Sequence, residues 1–175
     1  GVVVDNITID GTEIDLSSGD LTIDVAGDIT LDAGGGDIRF DAGGSEYGKI
    51  NLSGNNLNIH SSINDADIVF KGEDNSSTIT ALTLDMSAAG AATFNAGATF
   101  GGALLPAADD THDLGSSSKQ WRDIYTGDIN LNNTKTRDNE VDGSRGSWTI
   151  QEGSDDLFLL NRLNGKKYKF NLTEV

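Results

Sequence analysis

Apolar and polar residues alternate along the first part of the chain in short triplets: Ile7-Thr8-Ile9, Leu21-Thr22-Ile23, Ile29-Thr30-Leu31, Ile38-Arg39-Phe40, Ile50-Asn51-Leu52, Leu57-Asn58-Ile59 and Ile68-Val69-Phe70. Each sets two apolar side chains on one face and one residue on the other. A period of two predicts strands, because successive side chains point to opposite sides of a sheet. Turn residues separate them: Asp10-Gly11, Ser18-Gly19-Asp20, Ala26-Gly27-Asp28 and Gly34-Gly35-Gly36-Asp37. Glycine reaches positive φ without penalty, and aspartate bonds its own backbone. Together they make a repeat, Gly-Asp-Leu-Thr-Ile-Asp (19–24), Gly-Asp-Ile-Thr-Leu-Asp (27–32) and Gly-Asp-Ile-Arg-Phe-Asp (36–41). A unit of one short strand and one turn cannot bury its apolar side alone and must stack on neighbours.

The pattern changes after residue 85. Ala-Thr-Phe occurs at 92–94 and again at 98–100, so Phe94 and Phe100 share a face of an extended chain. Alanine content permits a helix over 86–92, which Gly90 weakens. Pro106 closes this stretch. Ser117 and Gln120 have capping-box spacing, and Trp121, Ile124 and Tyr125 then share a helical face. A short helical turn is therefore expected near 117–124. Alternation returns at 128–131, and 134–147 read as a polar loop. The tail reads as a small β-meander over 148–175, with Asn164-Gly165 as its hairpin signal.

Composition adds three limits. The 175 residues suit one or two small domains. Ile, Leu, Val and Phe make up about a quarter of them, above the range where disorder is the default. No cysteine is present, which removes disulfides, thiolate zinc sites and a cysteine nucleophile. No apolar run is long enough to span a bilayer, and no signal-peptide pattern occurs. The start, Gly1-Val2-Val3-Val4-Asp5, reads as strand and as a processed or excised piece of something longer.

The net charge of −16 is unevenly placed. Residues 1–100 hold 16 acids against Arg39, Lys49 and Lys71, whereas residues 101–175 hold 12 acids against nine bases. Such a field repels nucleic acid and anionic lipid; it also keeps an exposed β surface soluble. The basic run Arg162–Lys169 serves an anionic surface or simply hairpin solubility.

The triplets give each strand only two inward residues. A sheet built from them by one chain has a thin core and open edges, and open edges invite another chain. Three copies around an axis solve both problems. The expected fold is all-β: an elongated homotrimeric β-prism or interleaved triple β-helix, with a single-chain solenoid as the other possibility. The residues expected to fill the shared core or interface are Ile23, Leu31, Phe40, Phe70, Phe94, Phe100, Leu114, Trp121, Ile124, Tyr125, Trp148 and Phe158.

Candidate chemistry is sparse. The Gly/Asp repeat resembles the nonapeptide calcium β-roll of secreted toxins, which makes Asp24, Asp28, Asp32 and Asp37 the calcium candidates. It departs from that pattern because Asp follows Gly directly and the spacing is not a steady nine. Paired carboxylates for glycoside hydrolysis are uninformative among so many acids. His60 falls on the outward phase of its strand, and His112 sits in the acidic turn 109–113; neither has a second histidine at ligand spacing. No nucleophile elbow, phosphate loop or dinucleotide fingerprint occurs.

The run from Leu105 to Tyr125 contains Asp113-Leu114-Gly115-Ser116, then Trp121 and the pair Ile124-Tyr125. It resembles a segment common in bacteriophage tail fibres and related virion proteins. Ile68–Gly72 and Leu82–Ser87 resemble repeats of marine phage fibres. His112 stands where an aromatic is expected. The resemblance implies a structural motif, with no catalytic residue to transfer and no cofactor. It implies a trimeric fibre on a virion, extracellular, used for host recognition and adhesion. Its partners would be its own copies, other tail or virion proteins, and a bacterial surface glycan or protein. On this reading 1–85 is a repetitive β shaft, 86–107 an Ala/Gly-rich connector, 108–133 the fibre motif and 134–175 a β tip. The other functional readings are a calcium-binding β-solenoid of a bacterial surface adhesin and a polysaccharide-degrading tailspike.

Overall fold

Turn chemistry decides where this chain folds back on itself. The computed structural model describes residues 7–135 and 137–174, with side chains described from residue 11; the strand expected at 1–5 lies outside them. The first hairpin pairs β1 (Ile7–Asp10) with β2 (Glu13–Leu16) through Gly11-Thr12. A three-stranded antiparallel sheet follows: β3 (Asp37–Ala42), β4 (Ser45–Ser53) and β5 (Asn56–Ser61). Gly43 and Gly44 join β3 to β4 with φ of 58° and 81°, the two positive values of a type I′ turn. The next sheet holds β6 (Ile68–Asp74), β7 (Ser77–Asp85) and β8 (Ala91–Phe94). Its first turn is the same type without glycine, since Asn75 and Ser76 sit at φ 49° and 64°.

Residues 86–90 form a turn, and the Ala-based alternative of a helix is not taken. Asp85 gathers them: its carbonyl accepts from Ala88 and Gly90, and its carboxylate accepts from the Ser87 hydroxyl and the Ala88 amide.

The last sheet is a four-stranded antiparallel meander in chain order: β9 (Ile129–Asn132), β10 (Ser147–Glu152), β11 (Leu157–Asn161) and β12 (Lys167–Lys169). It belongs to a second compact unit that begins at Phe100; the first unit runs up to Thr99. The fold is thus all-β, and none of its sheets closes into a barrel.

Two sequence expectations are corrected. No helix occurs among the described residues, so the helical turn near 117–124 is absent. Ser116 and Lys119 instead exchange backbone hydrogen bonds of 2.9 and 3.2 Å, and the Ser116 hydroxyl accepts from the Lys119 amide. A serine that satisfies the backbone locally competes with helix initiation. The triplets at 21–23 and 29–31 also form no strand, and no strand among the described residues pairs with them.

Register puts each sheet's apolar residues on one side. Ile38, Ile50 and Ile59 form one rung of β3–β5, with Leu52 opposite Leu57 on the same face. Phe70, Leu82 and Phe94 form a rung of β6–β8, beside Ile68, Leu84 and Ala92. Leu52, Leu57 and Ile59 on the first face, and Phe70 and Phe94 on the second, stand exposed. Among the described residues no apolar side chain is buried. The accessible surface is 15,338 Å². A compact monomer of this mass exposes about 8,200 Å², and even two separate compact halves expose about 9,900 Å².

Candidate functional site

The C-terminal meander has two unlike faces. Alternation puts Trp148 and Ile150 of β10 on one side with Ile129, Leu131, Leu157, Leu159 and Tyr168. Trp148 and Tyr168 meet with ring centroids 5.8 Å apart. The other side carries Thr149, the one described side chain that is fully enclosed. Its hydroxyl donates to Asn130 Oδ1 at 2.6 Å and accepts from Arg162 Nε at 2.8 Å. Asn130 is its register partner on β9, and Arg162 follows β11, so the sheet geometry itself assembles this relay. Gln151, two residues on, donates to Asp128 at 2.7 Å.

The loop between β9 and β10 is knotted around Asn139. Its Oδ1 accepts from the amides of Val141 and Asp142, and its Nδ2 donates to Ser144 and to the Asp142 carboxylate. The Ser144 hydroxyl, the Ser144 amide and Asn139 together hold the Asp142 carboxyl below its ordinary range. Arg145 Nε pairs with Asp138 at 2.6 Å, and Arg137 Nε pairs with Asp110 at 3.3 Å. Gly146 leads into β10, and a Cβ there would sit 2.9 Å from Trp148 Nε1. The loop encloses a cleft of about 840 Å³, walled by Asn132, Arg137, Glu140, Arg145, Trp148 and Asn161. The sequence showed 134–147 only as a polar loop; neither the Asn139 knot nor the cleft, which needs Asp110, β9 and β11 together, was legible in it.

The residues expected in a shared core are distributed as follows. Ile23, Leu31, Phe40, Phe70, Phe94, Phe100, Leu114, Trp121, Ile124 and Tyr125 are between 40% and 94% exposed in the single chain. Trp148 and Phe158 are half-buried. Phe158 packs on Gly153, where a Cβ would lie 2.6 Å from its ring. Leu114, Trp121 and Ile124 line one shallow depression, with Gly115 at φ 86° under the indole.

The calcium candidates are not gathered. Among the described residues no group of three or more metal-capable side chains occurs. Asp37 is engaged by Lys49 at 3.3 Å. His60 lies opposite Lys49 on the charged side of its sheet, and His112 is exposed. That charged side also holds Glu46, which pairs with Arg39 Nε at 2.6 Å and accepts from the Ser62 hydroxyl. The Ser62 hydrogen bond, with Arg39 and Lys49 behind it, lowers the Glu46 carboxyl below its ordinary value. In the basic tail, Arg162 serves the relay and Lys169 pairs with Asp156 at 2.8 Å.

No family model matches the chain, and neither the curated proteins nor the solved structures contain a match to it.

Proposed function

We propose that this chain is a structural and host-recognition segment of a homotrimeric fibre of the phage tail-fibre type. It would act outside the cell, on a virion, as shaft and tip. One observation carries the reading: the sheets β3–β5 and β6–β8 each have an apolar face with exposed side chains on it, and among the described residues no apolar side chain is buried. The chain exposes over 5,000 Å² more than even two compact halves would. That excess is of the order that obligate oligomers bury. Identical copies supply matching faces, and the Asp, Asn and Lys faces then remain in water. The threefold number follows from arranging thin-walled copies around one axis, and the resemblance of 105–125 to fibre segments implies the same number.

The reading assigns the chain no catalytic role. Its partners are its own copies, neighbouring virion proteins, and a glycan or protein of a bacterial surface. Static light scattering on the purified protein tests it. The expected mass is three chains of 18.4 kDa, retained in mild detergent. A mass of one chain overturns the shared core, and a mass of two overturns the trimer.

A further inference from the structure

The cleft beside β9 is built in a way that selects a ligand. Its asparagines have their carbonyl ends committed inside the protein. Asn132 Oδ1 accepts from the amide and hydroxyl of Thr134, and Asn161 Oδ1 accepts from the amides of Leu163 and Asn164. Their Nδ2 groups bond to no described residue. Each is a donor fixed in place by the loop it caps. Glu140, on the same wall, has no described partner and is a strong acceptor. Trp148 adds an indole held between Gly146 and Tyr168. The cleft therefore offers oriented donors, one acceptor and a flat apolar platform, and the volume lies within the usual range for ligand sites.

Charge decides among ligand classes. Both guanidiniums of the cleft are already matched, Arg137 by Asp110 and Arg145 by Asp138. Glu140 leaves an uncompensated negative charge. A phosphate or uronate would meet that charge with no unpaired cation among the described lining residues. A hydroxyl-rich neutral ring both accepts from amides and donates to a carboxylate, and its C–H face stacks on indole. We infer that this cleft binds a neutral saccharide, with Asn132, Asn161 and Glu140 reading hydroxyls and Trp148 as the platform. The inference rests on the recognition part of the proposed function and names its ligand class and residues.

The test uses the assembled protein with Trp121→Phe, which leaves Trp148 as the sole indole of the chain. It is applied to an array of bacterial surface polysaccharides, neutral, uronate-bearing and phosphorylated. Neutral glycans are expected to bind and to shift Trp148 emission. Glu140→Ala and Leu163→Ala alter exposed wall residues that hold no part of the fold together. Each is expected to weaken binding about tenfold, the scale of one charge-assisted hydrogen bond or one apolar contact, with unchanged circular dichroism. No glycan bound, binding to charged polymers or a surface protein alone, or binding indifferent to both substitutions overturns the inference. A three-chain mass without glycan binding removes the cleft and leaves the fibre. A one-chain mass with binding does the reverse.

Discussion

Residues 19–24, 27–32 and 36–41 share one pattern: Gly-Asp, an alternating triplet, then Asp. The third copy becomes β3 and pairs with β4. The first two run without a strand partner among the described residues, and Leu21, Ile23, Ile29 and Leu31 stand more than half exposed. The triplets do not differ in strand character, so what differs is the partner within reach. After 36–41 the chain reverses at once through Gly43-Gly44 into a nine-residue strand. After each earlier copy only another short unit follows. Three-residue strands give too few ladder bonds to offset the entropy of ordering them, and an isolated hairpin is marginal at best. The motif supplies a strand-ready segment; length and partner decide whether it pairs.

The largest effect is expected from breaking an apolar face. Leu82 lies at the centre of the Phe70–Leu82–Phe94 rung. If copies share that face, Leu82→Asp places an unpaired carboxylate in each copy's contact, at a cost of several kcal/mol. Light scattering should then show single chains. Thr83→Asp, on the opposite face beside Val69 and Thr93, should keep the multi-chain mass. Equal masses for the two variants would mean that the apolar faces are not the contacts.

Amide exchange sharpens the comparison of the three repeat copies. No described residue accepts a hydrogen bond from the amides between Leu21 and Leu31. In the assembled protein they are expected to be protected about a hundredfold or more, as strands paired with another copy, and to lose protection in Leu82→Asp. Free exchange at 21–31 beside slow exchange at 38–40 would make the first two copies solvated spacers.

How much of this was legible follows the same line. The triplets at 38–40, 50–52, 57–59 and 68–70 became strands because the tight turns Gly43-Gly44, Gly54-Asn55 and Asn75-Ser76 bring neighbours together, and those are residue types that favour turns. The failure at 21–23 and 29–31 was not visible, because alternation records which face is apolar and says nothing about who stands beside it. The expected helix at 117–124 failed for a local reason: the Ser116 hydroxyl served the Lys119 amide, and no carbonyl four residues back was engaged. For the cleft, sequence showed a polar loop over 134–147 and Trp148 as a core candidate, separately. Their juxtaposition with Asp110 and Asn161 depends on loop placement, which has no period to read.

The C-terminal meander differs from the sheets β3–β5 and β6–β8 in holding the one fully enclosed side chain among the described residues. Thr149→Val keeps the shape of the side chain but strands Asn130 Oδ1 and Arg162 Nε without their partner. Losing a hydrogen bond to a charged group inside a closed site costs about 1–3 kcal/mol. For a unit of this size that lowers the melting temperature by roughly 4–20 °C. Thr149→Ser, which keeps the hydroxyl, should recover most of it. Because Thr149 is enclosed within its own chain, the multi-chain mass should not change.

The smallest effect separates the charged side of β3–β5 from its apolar side by pH. Glu46 is held below its ordinary value near 4.5, first by the Ser62 hydroxyl and then by Arg39 and Lys49. The folded chain therefore takes up this proton less readily than the unfolded chain. The stabilisation from that difference is complete above the ordinary value and drains away as pH falls through the lowered one. Melting temperature should accordingly drop on acidification below about pH 4.5. Glu46→Gln should flatten that limb while changing the neutral-pH value less than Thr149→Val does, since Arg39 is more than half exposed and water screens the pair. Association through Ile38, Ile50 and Ile59 carries no titrating group on its rung, so the multi-chain mass should persist across the same range. A mass that fell in step with Glu46 protonation would place the contact between copies on the charged side and reverse the assignment of faces.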